Sequence, residues 1–279
     1  MSSMLKLSIA TAILLSSISL QADDKQILNF EKDRLSKNTK LKIKEVKINL
    51  KQKTSIKNWN AYVFNIKADF SGKQIDAKDI LFSDGKVVAT DLFLLKNGES
   101  LKDEITPRLS DKYYESSKLI AGDKNAKNTL VIFSDPLCPF CLDYVPEVIR
   151  FVKENPKNLR LYYFHYPLEQ IHPAAVTVAK AMTALKLSKK MEDVELKFYE
   201  ADFEKYFNES DTNETKILDG INKVLKTKLT LKDIQNSAVV KELAKDSKLG
   251  DDAMVPGTPT IFVNGEVDKS KKIYETLAK

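Results

Sequence analysis

Only two cysteines occur in the 279 residues, and they stand as Cys138-Pro139-Phe140-Cys141. An apolar run, Leu130-Val131-Ile132-Phe133, precedes them, and a helix-like stretch from Leu142 to Lys153 follows. Strand, Cys-x-x-Cys, helix restricts the fold, because it sets the first cysteine at a helix N-terminus. Unpaired backbone N–H groups and the positive end of the helix dipole meet its sulfur there. Both favour thiolate over thiol, and the thiolate is the nucleophile. This predicts Cys138 as an exposed attacking thiol and Cys141, one turn on, as a shielded resolving thiol. Such a pair cycles between dithiol and disulfide. Three other readings carry less weight. A structural disulfide would close a very small loop and remove little chain entropy. A zinc site needs four ligands, and His165 and His172 would have to complete the set. Two inert core cysteines fit poorly beside a proline at a helix start.

The N-terminus predicts the compartment. Lys6, an uncharged segment from Leu7 to Leu20, and Gln21-Ala22 read as a cleaved signal peptide over residues 1–22. The apolar segment is shorter than the ~20 residues that span a bilayer, and an uncleaved anchor is the alternative. An exported chain with a lone Cys-x-x-Cys pair points to the bacterial periplasm. The formal net charge is +6, from 45 Lys and Arg against 39 Asp and Glu, with Arg34, Arg108, Arg150 and Arg160 the only arginines. Lysine is spread evenly. A solvated basic surface explains this better than a nucleic-acid site, which would cluster Arg with stacking aromatics. No solenoid-period repeat or low-complexity tract is visible.

The chain divides near residues 100–120. Asp24 to Ser36 reads as a short amphipathic helix. Leu41 to Leu50 alternates as a strand with a phase slip at Glu45-Val46, a bulge signal. Tyr62, Phe64, Ile66, Ala68 and Phe70 alternate as a second strand, and Asp84-Gly85 reads as a hairpin turn before a strand over Lys86 to Leu95. Residues 23–100 therefore predict a small helix-plus-antiparallel-sheet domain. It has no cysteine, histidine or clustered acid-base set, so its better reading is a binding or assembly module. Residues 101–119 are charged and helix-compatible apart from Thr106-Pro107, and predict a linker helix. Ala121 to Asn128 reads as a polar loop. Residues 120–279 run strand, helix, strand (Asn158 to Tyr166), helix (Pro173 to Leu187), further helices near 189–207, 214–226 and 230–247, strand (Thr258 to Val263), an Asn264-Gly265 turn, and a helix over Lys269 to Ala278. That order predicts a mixed sheet flanked by helices.

These residues carry a resemblance. Ser134-Asp135-Pro136-Leu137-Cys138-Pro139-Phe140-Cys141 resembles the active-site segment of the Dsb family of periplasmic thiol-disulfide oxidoreductases, on its DsbC/DsbG side. Pro146 matches the proline inside the active-site helix of thioredoxin-like proteins. Pro256-Gly257-Thr258-Pro259-Thr260 resembles the family's cis-proline loop, with Thr258 matching the DsbC/DsbG side. Phe164-His165-Tyr166-Pro167 and His172-Pro173-Ala174-Ala175 resemble DsbA-like domains instead. The resemblance implies an α/β fold: a thioredoxin-like catalytic domain with a helical insertion over 120–279, preceded by a small α+β cystatin-like dimerisation domain and the linker helix. It implies Cys138 and Cys141 as the catalytic pair, Pro139 and Phe140 as residues tuning their redox behaviour, and Thr258 and Pro259 as the substrate-binding loop. The Thr258 backbone would lie beside the Cys138 sulfur, ready to pair with an extended client segment. It further implies a homodimer that isomerises or reduces disulfides in exported, cysteine-bearing clients, served by a membrane thiol reductase or oxidase. Neither cofactor, metal nor nucleic acid enters this reading. A DsbA-like dithiol oxidase, or a peptide-binding chaperone with secondary redox activity, is the alternative.

Overall fold

The computed structural model describes residues 24–70 and 72–278. The signal peptide expected over 1–22 lies outside them. Among the described residues no helix is long and apolar enough to cross a membrane. The chain forms two compact units, one up to Ile105 and the other from Thr106.

In the first unit, helix α1 (24–36) covers an antiparallel meander of β1 (Leu41–Lys53), β2 (Asn60–Phe70), β3 (Lys73–Ser83) and β4 (Val88–Ala89), in that spatial order. Ile27 from the helix and Val46, Tyr62, Phe64, Ile66, Ala68 and Leu81 from the sheet share one core. Each Ile, Val, Leu or Phe side chain among them stabilises by about 1.5–3 kcal/mol when fully buried, before entropy is counted. Glu31, buried under the helix, is held by Arg34, which also pairs with Asp79 of β3. The phase slip in β1 is real but doubled: the register shifts between Ile43 and Glu45 and again between Ile48 and Leu50.

Two expectations for this part of the chain are corrected. The strand over Lys86 to Leu95 shrinks to Val88–Ala89. Its neighbours satisfy their backbone locally: Asp84 Oδ1 accepts from the Lys86 and Val87 N–H groups, and Asp91 Oδ1 accepts from Leu92 N–H. The linker helix over 101–119 is absent. Three 3₁₀ turns stand in its place, at Leu101–Glu104, Asp111–Tyr113 and Ser116–Lys118. Pro107 lacks the N–H a continuous helix needs, and Ser100 caps the first turn by accepting from Lys102 N–H. The last turn is tied down by Lys118, whose buried ammonium pairs with Glu242 at 2.6 Å and with Asp246.

The second unit is built on a five-stranded sheet in the order β5-β7-β6-β8-β9. These are β5 (Leu119–Gly122), β6 (Asn128–Ser134), β7 (Leu159–His165), β8 (Thr260–Val263) and β9 (Glu266–Val267). The first of them takes the start of the stretch expected as a polar loop. β6 runs parallel to β7 and antiparallel to β8. Alternate residues of β6 feed two cores. Leu130 and Ile132 face one, with α2 (Pro139–Glu154) and α3 (Pro173–Ser188); Val131 and Phe133 face the other, with Tyr113 and Leu249. Both faces being covered explains why this strand reads as a continuous apolar run.

Between β7 and β8 the chain inserts α3, α4 (Val194–Tyr199), α5 (Glu214–Leu225), α6 (Leu231–Ile234) and α7 (Ser237–Asp252). The helix expected near 189–207 is only one and a half turns long. The one expected near 230–247 is split, because Asn236 breaks off α6 and starts α7 by accepting from Ala238 N–H. The closing helix, α8, is shortened to Ile273–Thr276.

Candidate active site

Ser134 ends β6, Asp135-Pro136-Leu137 turn, and Cys138 occupies the N-cap of α2 with Pro139 in the first helical position. Proline is favoured there, since its missing N–H would have no intrahelical partner. Pro146 lies inside α2, where it leaves the Leu142 carbonyl without its helical donor. Asp135 fixes the turn. Its carboxylate is fully buried; Oδ1 accepts from Leu137 N–H at 2.8 Å, and Oδ2 accepts from Leu168 N–H at 2.8 Å and lies 3.0 Å from His172 Nδ1.

Both cysteines are free thiols. Cys138 is 4% exposed and Cys141 is fully buried. Cys138 is thus less open than the exposed thiol the sequence predicts. The reason is the loop before β8: the Cys138 sulfhydryl donates to the Thr258 carbonyl oxygen at 3.4 Å. The Thr258–Pro259 peptide bond is cis, as the resemblance implies. Thr258 and Pro259 are therefore brought to the sulfur across 120 residues of chain. Phe140, between the cysteines, points outward and is 75% exposed.

The two thiols are driven apart electrostatically. A hydrogen bond from the Cys141 thiol draws the Cys138 pKa down to about 5 against the cost of burial. Thr258 and the backbone N–H groups of Cys141 and Phe140 help, in the manner of an anion at a helix start. Cys141 moves far up, because burial and the neighbouring Cys138 sulfur both oppose its charge. Cys141 also hydrogen-bonds Ser134. From there a buried hydroxyl chain continues, Ser134 Oγ to Tyr199 Oη at 2.6 Å and Tyr199 Oη to Tyr163 Oη at 2.9 Å. This chain, and Asp135, are what sequence reasoning missed. Ser134 and Asp135 lie in the quoted motif, but nothing local tells that Tyr199 of α4 reaches them.

The histidines take separate places. His165 is buried at the end of β7, edge-on to Tyr163, and desolvation pushes its pKa well down, so it stays neutral. His172 caps no helix donor and serves the Asp135 contact. Among the described residues no group of three or more His, Cys, Asp or Glu side chains is placed to hold a metal ion.

The family model described as thioredoxin matches residues 115–279, with the whole of this site inside it. The chain belongs to the thioredoxin family. Through it, the chain is related to thiol-disulfide oxidoreductases. Among solved structures, similar chains include a thioredoxin-like oxidoreductase from Silicibacter pomeroyi DSS-3 (22% identity, 57% of this chain and 87% of that chain, TM-score 0.45). Others are ScsC from Proteus mirabilis in a compact conformation (18% identity, 57% and 74%, TM-score 0.44) and DsbA2 from Pseudomonas aeruginosa (18% identity, 57% and 91%, TM-score 0.41). No curated protein matches the chain.

Proposed function

We propose that this thioredoxin-family protein is a periplasmic thiol-disulfide oxidoreductase of the Dsb type, using Cys138 and Cys141 to isomerise or reduce disulfides in exported proteins. One observation carries the reading: a thiol at a helix start with its pKa drawn to about 5, beside a buried thiol whose pKa is driven up. The Cys138 thiolate attacks one sulfur of a client disulfide. A Cys138–client S–S bond forms, the client S–S bond breaks, and the departing client sulfur keeps the electron pair and takes a proton. In isomerisation a client thiolate later expels Cys138, with no net transfer of electrons. In reduction Cys141 loses its proton, attacks the Cys138 sulfur and releases the client as a dithiol. Two electrons then pass to the client, and a membrane dithiol reductase restores them. The Thr258 backbone, next to the Cys138 sulfur, supports pairing with an extended client segment.

A second reading has its own observation. A stabilised thiolate stabilises the reduced form, which makes a disulfide more oxidising. That favours a DsbA-like oxidase, whereas Thr258 before Pro259 favours the isomerase side of the resemblance. Refolding of a scrambled multi-disulfide protein, run beside oxidation of a reduced one, separates them. We expect unscrambling at least as strong as oxidation, and a shift toward oxidation in Thr258→Val. Efficient oxidation with no unscrambling rejects the isomerase assignment.

The helix-and-meander unit offers no thiol chemistry, and we assign it a dimerisation role. β4, only two residues long, ends the sheet and leaves most of one side of β3 without a strand partner, and β1 forms the opposite edge. Light scattering on the mature chain is expected to give twice the monomer mass. A monomer at micromolar concentration defeats this assignment.

A further inference from the structure

A groove of about 640 Å³ opens beside the reactive thiol, wholly within the second unit. Leu137 and Pro139, the chain neighbours of Cys138, line one wall together with Leu142. Phe203 and Phe207 form its apolar floor, stacked at 5.3 Å between ring centres and themselves buried. The rim is acidic. Glu200 is neutralised by Arg150, but Asp202, Glu204 and Glu209 are exposed and face no lysine or arginine at ion-pair distance among the described residues. The only cation of that loop, Lys205, does not line the groove. This is an acidic rim on a chain whose formal net charge is +6.

We propose that this groove receives the client residues flanking the cysteine under attack, and that it selects extended segments combining an apolar side chain with lysine or arginine. The inference rests on the thiol-exchange reading above. An apolar client side chain would cover Pro139 and Leu142, which stand exposed on the wall beside the buried Phe203 and Phe207. A cationic neighbour meets three carboxylates that have no cation of their own. Charge complementarity of this kind acts first on the encounter rate and fixes the register of the bound segment. Here it would bring the client sulfur to Cys138, since the wall residues adjoin it along the chain.

The overall charge of the protein argues for the reverse preference, which makes the test discriminating. Two peptides carry a single cysteine activated as a 2-pyridyl disulfide, one flanked by leucine and lysines, the other by leucine and glutamates. The Cys138 thiolate forms a bond to the peptide sulfur, the pyridyl S–S bond breaks, and 2-thiopyridone leaves with the electron pair and a proton, giving the absorbance that is read. The reduced protein is expected to react about tenfold faster with the lysine peptide at low salt, a preference that added salt removes. Asp202→Asn/Glu204→Gln/Glu209→Gln should lose the preference while reacting with neutral dipyridyl disulfide as the wild type does. Equal rates for the two peptides, or a lysine preference that survives in the triple variant, overturn the groove assignment and leave the exchange chemistry standing. If wild type fails to react even with dipyridyl disulfide, the exchange reading falls and takes this inference with it.

Discussion

Cys138→Ser is expected to abolish thiol exchange, and Cys141→Ser to stall it halfway. The asymmetry follows from burial and charge. Cys141 is fully covered and its pKa is driven upward, so it offers neither access nor thiolate to a client disulfide. Cys138 has both its lowered pKa and its place at the mouth of the Thr258 loop. Removing it removes the nucleophile, and insulin reduction should fall by roughly 10⁴-fold or more, as when other covalent nucleophiles are deleted. Cys141→Ser retains the first attack but cannot release the client, so mixed disulfides accumulate and are visible on non-reducing gels. Equal trapping by the two variants contradicts the assignment.

The second large effect is in pH. Alkylation of the reduced protein by iodoacetamide should rise through about pH 5 and level off well below the range where an ordinary cysteine, near 8.5, becomes reactive. The Cys141 thiol is the largest contributor to that lowered value, so Cys141→Ala should move the midpoint upward. The same shift appears as stability. A group whose pKa is depressed by folding contributes fully above its unfolded value and loses the contribution as pH falls through the folded one. Between about pH 8.5 and about pH 5 the advantage of the reduced wild type over Cys138→Ser should shrink by up to about 1.4 kcal/mol per unit. Urea unfolding of both reduced proteins measures it, and the subtraction removes other titrations, Asp246 among them. A midpoint near 8.5 rules out the stabilised thiolate.

The centre of the site was legible because its cause is local. An apolar strand, two cysteines one turn apart and a proline at the first helical position put Cys138 at the N-cap without help from distant residues. The Thr258 contact spans 120 residues and was readable only through the resemblance of its loop. No pattern announced the Ser134–Tyr199–Tyr163 chain, because hydroxyls in buried networks look in sequence like any other polar or aromatic residue. Nor did one announce the groove, whose floor and wall come from separate elements. The linker helix failed for the opposite reason. The charged residues of 101–119 are compatible with a helix, but Pro107 lacks the N–H to continue one and Ser100 caps only a short first turn. The strand over Lys86 to Leu95 failed because Asp84 and Asp91 satisfy nearby N–H groups that a ladder would have used.

β6 has a strand on each side and a core on each face. The amides of Val131 to Phe133 can therefore meet solvent deuterium only when the whole unit opens, and should be among its slowest to exchange. The turn bearing Cys138 grows directly from the end of that strand. The proposed bond making and breaking at Cys138 would thus be mounted on a strand held from every side, as a tool works against an anvil.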